Sequence, residues 1–203
     1  YKQLSDNFVF LSDSNKIKSI SLRNNMMQNF KEIYETSVHS MLYILNRAKT
    51  ELDFHKIFKI MYFAEQKHLA KYGRMITKDS YIRMPKGPVP SYAYNVFQII
   101  RSNNRIFEFN DYFKIKGKFK VEALVNYDSD ELSETDIECL NESFNENINL
   151  NFDELTEKSH GLAWKNALYS DAINVYQMAK EAGASDEMVK YIKHMNMLKK
   201  TCA

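Results

Sequence analysis

The chain has 203 residues, 44% of them hydrophobic and 13% aromatic, with 13 Tyr, 13 Phe and a single Trp, which is enough for a packed core. Five Gly and three Pro exclude a linker-like or low-complexity chain and favour a helix-rich fold. The net charge of +2 hides a polarised layout: residues 54–121 carry 14 Lys/Arg against 4 Asp/Glu, or +10, and residues 128–158 carry 11 Asp/Glu against one Lys, or −10.

In chain order, residues 1–24 are weakly patterned. Phe8 to Leu11 and Lys16 to Leu22, separated by Ser12-Asp13-Ser14-Asn15, suggest an N-terminal extension or hairpin. From about Asn25 to Ala48, Met26, Phe30, Ile33, Tyr34, Val38, Met41, Leu42 and Leu45 recur at helical spacing. Asp53 is the expected N-cap of a helix over 54–72, apolar nearly all round between Ile57 and Ala64, as the central helix of a fold would be. Gly73 is its expected left-handed cap. Residues 74–90 are expected to be irregular: Tyr81 to Met84 suggests a short extended piece, but Pro85, Gly87, Pro88 and Pro90 argue against regular structure. Ser91 is then the expected cap of a helix over 92–101.

Residues 112–124 carry the clearest β pattern. Phe113, Ile115, Phe119 and Val121 alternate with Lys114, Lys116, Lys118 and Lys120, with Lys116-Gly117-Lys118 as the turn. Ser133 with Asp136 has the form of a capping box before Ile137, Leu140 and Phe144. A short helix near 153–159 leads to His160, Gly161 and Trp164. Two more helices follow: one over about 171–181, stopped by Gly183, the other capped near Ser185 with Met188, Tyr191, Ile192, Met195 and Leu198 on one stripe.

The sequence carries few marks of chemistry. His39, His55, His68, His160 and His194 form no H-x-x-x-H or H-E-x-x-H pair, and neither Cys139 nor Cys202 lies near a His, so no metal site is expected. No phosphate-binding glycine loop and no G-x-S-x-G elbow occur. Nothing in the spacing of Glu65 and Asp79 argues for a carboxylate pair. No cofactor and no catalytic residue are expected. The two distant cysteines do not suggest a disulfide framework, so a reducing cytoplasm is the expected compartment. No apolar run approaches the roughly 18–20 residues that cross a bilayer, and residues 1–6 do not read as a signal peptide. The chain starts at Tyr1 rather than Met, so a missing N-terminal module is an open expectation.

Two binding readings stay open. The lysine hairpin resembles a winged-helix wing, whose Lys114, Lys116, Lys118 and Lys120 would contact phosphates; equally, a surface hairpin needs a polar outer face, and lysines guard its edge. Tyr81, Tyr92, Tyr94 and Phe97, with Lys86, cluster around the Pro-Gly loop; they would anchor a protein partner or pack the loop onto the central helix. The two charged segments would either neutralise each other side by side or offer separate basic and acidic faces.

Taken together, several segments resemble the Panacea domain, the SocA-like antitoxin domain family. They are Phe58 to Leu69 with Tyr62 and His68, then Tyr72-Gly73-Arg74, then Lys86-Gly87-Pro88-Val89-Pro90, Leu132-Ser133-Glu134, and Glu154 to His160 with Ala163-Trp164. Glu65 stands where that family commonly has Asp, and Lys86 where it often has an aromatic residue. The likeness spans roughly residues 30–170.

The resemblance implies an antitoxin that neutralises a cognate protein toxin by direct contact, without catalysis, or an adaptor that delivers its toxin to a protease. A nucleic-acid-binding regulator using the lysine hairpin is the alternative from another class. Self-association is left open, DNA is the less favoured partner, and no membrane partner is expected. The expected architecture is α+β and predominantly α-helical: a single helical domain over 25–203 around a buried central helix, with a β-hairpin and two extra C-terminal helices.

Overall fold

The computed structural model describes residues 34–102 and 109–201. The expected N-terminal hairpin, and the start of the helix expected from residue 25, lie outside the described residues. Within them the fold is α+β and predominantly helical. The first helix, α1, covers residues 34–48. Strand β1 (Leu52–Asp53) leads into α2 (Phe54–Tyr72), followed by β2 (Tyr81–Met84), β3 (Gly87–Pro90) and α3 (Ser91–Arg101). Then come α4 (Phe109–Tyr112), β4 (Phe113–Lys116), β5 (Lys120–Ala123), a 3-10 turn at Ser129–Glu131, and α5 (Glu134–Asn147). The last elements are α6 (Phe152–Ser159), α7 (Leu162–Asn166), α8 (Val175–Glu181) and α9 (Asp186–Thr201).

Helix α2 is the central post. The Asp53 carboxylate accepts from the His55 N–H at 2.8 Å and so satisfies an otherwise orphaned donor. Gly73, at φ +71°, closes the helix with its N–H on the Leu69 carbonyl. A Cβ at Gly73 would also come within 2.7 Å of the Tyr191 ring, so α9 packs against this end of the post. Ile57, Ile60, Met61, Tyr62 and Ala64 are all but sealed from solvent. Tyr62, Phe63 and Leu69 share one core with Tyr81, Leu155, Ala163, Ile173, Met178, Ala179 and Ile192. The two C-terminal helices therefore build the core rather than decorate it.

The acidic and basic segments lie side by side. Helix α5 starts on a full capping box between Ser133 and Asp136 and packs along α2. Lys67 pairs with Glu142 and Glu146, Lys71 with Glu138 and Glu142, and Arg74 with Asp136. Surface pairs of this kind contribute only about 0–1 kcal/mol each, so their main effect is to cancel charge and fix which face of α5 meets α2. Beneath them, the Ser143 hydroxyl donates to the Ile60 carbonyl at 2.7 Å.

The clearest departure from expectation is the Pro-Gly stretch. Residues 81–90 form an antiparallel hairpin with Tyr81 opposite Pro90, Ile82 opposite Val89, Arg83 opposite Pro88 and Met84 opposite Gly87. Ladder bonds in such a ribbon alternate. The two-residue turn at Pro85-Lys86 makes Met84–Gly87 and Ile82–Val89 the bonded pairs. Pro88 and Pro90 then fall where the N–H would point away from β2, so their missing donors cost the ladder nothing. The outer edge of β2 is paired as well: the Arg83 and Ile173 N–H groups donate to the Asp171 and Tyr81 carbonyls, and Ser170 N–H to the Arg83 carbonyl. This pairing delays α8, which begins at Val175 behind an Asn174 cap rather than near residue 171.

Strands β1, β5 and β4 form a second, three-stranded sheet in that order. The lysine hairpin is real, but its turn is Gly117-Lys118-Phe119, because Lys116 pairs with Lys120. Phe119 is therefore half exposed on the turn, while Phe113 and Val121 carry the apolar face. Ser91 is the first residue of α3 and not its cap. The cap is supplied from a distance by Asp79, whose carboxylate accepts from the Tyr92 and Ala93 N–H groups. The stripe on α9 is only partly used: Ile192 is buried, with Val189 from outside the stripe, while Tyr191 and Leu198 are exposed.

Candidate functional site

The motif residues converge on the β2–β3 hairpin, which is held from three sides. From α2, Lys59 reaches up and its Nζ donates to the Pro88 carbonyl at 2.8 Å. That carbonyl faces outward for the same reason that the Pro88 nitrogen does. Lys59 is 1% exposed. Burial in apolar surroundings pulls its ammonium down to about 7. From α6, the Ser159 side chain lies against Gly87, and its hydroxyl donates to the Thr156 carbonyl. Gly87 has φ +95°, and a Cβ there would collide with Ser159 Oγ and lie 2.8 Å from Lys59 Nζ. Only glycine meets both demands.

From α7, the Trp164 indole N–H donates to the Met84 carbonyl at 3.1 Å. Its ring is sandwiched: His160 stacks on it at 3.7 Å and 12°, and the Arg83 guanidinium lies 4.4 Å from the ring centroid. His160 and Trp164 do not share one helix. His160 caps α6, and α7 begins at Leu162, so the stack spans a break. Glu181 of α8 secures that break by accepting from the Ala163 N–H at 2.6 Å. Burial holds the His160 imidazole below its ordinary range, with Lys59, Lys165, Arg83 and Lys86 adding repulsion.

At the tip, the Lys86 carbonyl accepts from His55 Nε2–H at 3.2 Å, and the His55 ring stacks on Phe152 at 4.0 Å. Burial, helped by Lys59, pushes His55 down to about 4, so it is a neutral strut at physiological pH. Lys86 is exposed, with its Nζ 5.8 Å from the Phe152 ring centroid.

The loop before the hairpin hangs on two buried carboxylates. Glu65 accepts from the Ile76 and Thr77 N–H groups and the Thr77 hydroxyl, and Asp79 caps α3. Burial raises Glu65 to about 7 and Asp79 to about 6, against the pull of those donors. Each is near the other, yet both are consumed in holding backbone. His68, fully buried, donates Nδ1–H to the Arg74 carbonyl at 2.9 Å, with Nε2 3.1 Å from Asp136. Burial works to raise the Asp136 carboxyl, but hydrogen bonds from His68 and Ser133 and the Arg74 charge outweigh it and hold it low.

The sequence-derived partner-binding set is split. Tyr81 and Phe97 are buried, which corrects their assignment as contact residues: Tyr81 packs on Tyr62, and Phe97 on Phe54. Tyr92 is half-buried against Tyr34, at 4.9 Å, leaving Tyr94 and Lys86 exposed. The lysines of the second hairpin are less free than four on one face would be: Lys116 pairs with Glu122, Lys120 lies 3.5 Å from Glu51, and Lys118 covers Phe119. Among the motif residues, Tyr62, Gly87, Pro88, His160 and Trp164 meet at the clamp, while Pro90 ends β3 and His68 and Gly73 lie at the far end of α2. Lys59, Ser159 and Arg83 were not foreseen. A lone lysine between Phe58 and Ile60 in a helix buried all round was the available signal for Lys59, since such an amine must find a carbonyl.

Among the described residues no group of three or more His, Cys, Asp or Glu could hold a metal, and no helix is long and apolar enough to cross a membrane. No curated protein and no solved structure matches the chain. The model of the antitoxin SocA-like, Panacea domain family matches residues 57–165, more than half of the sequence. That span runs from the first fully buried turn of α2 to just past Trp164, and the chain belongs to the SocA-like Panacea domain family.

Proposed function

We propose that the chain is the antitoxin of a toxin–antitoxin-like pair and neutralises a cognate protein toxin by direct contact, with no catalytic step. One observation carries this reading. The family match at 57–165 encloses the side chains that clamp the β2–β3 hairpin from α2, α6 and α7, Lys59, Ser159 and Trp164, and leaves out only His55 at the tip. What such a family has in common is then a rigid presenting scaffold. A stiff, pre-formed hairpin loses little entropy when a partner docks, which suits a protein that acts by binding. Lys59, Glu65 and Asp79, the buried charged groups around the hairpin, hold backbone, which fits the same role.

Co-expression with the product of the adjacent gene tests it. Growth arrest by that product alone should be relieved by this chain, and the two should co-purify. Persistent arrest without a complex overturns the reading. The adaptor alternative predicts instead that the toxin's half-life shortens and that the loss requires a protease. A nucleic-acid regulator working through Lys114, Lys116, Lys118 and Lys120 has less support, because Glu122 and Glu51 neutralise part of that face.

A further inference from the structure

The polarised charge of the sequence is largely cancelled where α5 meets α2. Lys67, Lys71 and Arg74 all have carboxylate partners there. The hairpin end of the molecule is different. Arg83, Lys86 and Lys165 form no ion pair among the described residues; Arg83 spends one N–H on the Ala167 carbonyl and its face on Trp164. The carboxylates of flanking segments, Asp153, Glu157 and Asp171, pair with none of them. These cations surround two partly exposed aromatic rings, Trp164 and Phe152, and they act together: His160 feels Lys165, Arg83 and Lys86 at once. The hairpin also offers no edge for an added strand. Residues 170–173 occupy the outer side of β2, and the outer side of β3 has prolines for donors and Lys59 on its Pro88 carbonyl. A partner must be read through side chains.

We propose that this face, built on Arg83, Lys86 and Lys165 around Trp164 and Phe152, docks an acidic segment of a protein partner. The inference rests on the reading that the chain acts by protein contact. Uncompensated cations beside aromatic faces suit carboxylates carried on a short chain, since each carboxylate needs one local donor and the rings cover the apolar stems between them. A nucleic acid needs a continuous basic track. Here exposed Asp153, Glu154 and Glu157 on α6 bound the basic patch at once, so it has room for a short acidic segment and not for a run of phosphates.

The test is fluorescence anisotropy of the full chain with a labelled glutamate-rich peptide, beside a single-stranded and a duplex oligonucleotide of similar charge. Salt-sensitive peptide binding is expected, and Lys86→Glu with Lys165→Glu should weaken it by about tenfold or more. Lys114→Glu, outside the face, should leave it unchanged. If the reversal disturbs the thermal melt, Lys86→Gln with Lys165→Gln reads the same face with a smaller loss. Absent peptide binding, equal binding by the double variant, equal weakening by Lys114→Glu, or tighter binding of either oligonucleotide each overturns the proposal. No toxin enters this assay, so its failure leaves the antitoxin reading intact. Failed growth rescue with peptide binding preserved overturns the antitoxin reading and leaves the docking face standing.

Discussion

Replacing Lys59 with Met should change the pH dependence of stability in a way that no neutral core substitution would. Burial lowers the Lys59 ammonium from 10.5 to about 7 in the native state. Between those values the unfolded chain holds a proton that the folded chain has released, so wild-type stability rises with pH across about 7 to 10.5. At about pH 6 the side chain is charged in both states, and keeping it buried costs roughly 4–5 kcal/mol; at about pH 9 roughly 2 kcal/mol of that cost remains. Met fills similar space and has no charge to desolvate. It also leaves the Pro88 carbonyl without its donor, a loss of about 1–3 kcal/mol that does not vary with pH and cancels in the comparison.

The stability of Lys59→Met relative to wild type should therefore fall by about 2–3 kcal/mol between about pH 6 and about pH 9. Urea melts of both proteins at the two pH values, followed by circular dichroism and by the fluorescence of the single Trp, measure this directly. Parallel pH profiles would refute the reasoning. They would mean that Lys59 titrates near its ordinary value and is compensated by something other than one carbonyl.

Three further outcomes follow from the same clamp. Gly87→Ala combines a positive φ with a collision against Ser159 and Lys59, and should lower stability by about 3 kcal/mol or more; a loss under 1 kcal/mol in chemical melts would mean the hairpin moves freely. Trp164 emission should be quenched as His160 takes a proton, with a midpoint below the ordinary histidine value of 6.5, and the titration should vanish in His160→Gln; a midpoint at or above 6.5 would refute the burial and the cationic surroundings assigned to it. Asp79→Asn weakens the remote cap on α3 and should cost about 1–2 kcal/mol in thermal or urea unfolding; an unchanged melt would show that water caps α3 equally well.

Local chemistry was legible in the sequence, and long-range pairing was not. Helix α2 announced itself through Asp53, Gly73 and an apolar run too wide for a surface helix, and the box at Ser133 and Asp136 located α5 to the residue. The hairpin was hidden because four turn-forming residues in six argued against a strand. Prolines harm a ladder only at bonded positions, and which positions are bonded depends on the register that the two-residue turn at Pro85-Lys86 sets. The same blindness misplaced the second turn. The apolar alternation from Phe113 to Val121 runs unbroken through it, yet the pairing of Lys116 with Lys120 puts Phe119 in the turn. The aromatic cluster around the loop was read from composition alone, which cannot tell inward from outward: Tyr81 and Phe97 are buried, and Tyr94 and Lys86 are exposed.

The family match stops at residue 165, but the machinery that positions Trp164 does not. Glu181 of α8 accepts from the Ala163 N–H and so fixes the start of α7, whose first turn carries the indole. Met178, Ala179 and Ile192 close the core around Tyr62, and the ring of Tyr191 lies against Gly73. Residues 170–173 extend the hairpin as a third strand-like edge. A carboxylate, an apolar plug and a backbone edge are generic devices that many sequences can supply. The clamp residues are constrained more tightly, since a Cβ at Gly87 or a shorter side chain at Lys59 has no alternative partner. The match ends one residue after the tryptophan, while the packed core that holds the clamp continues through two more helices.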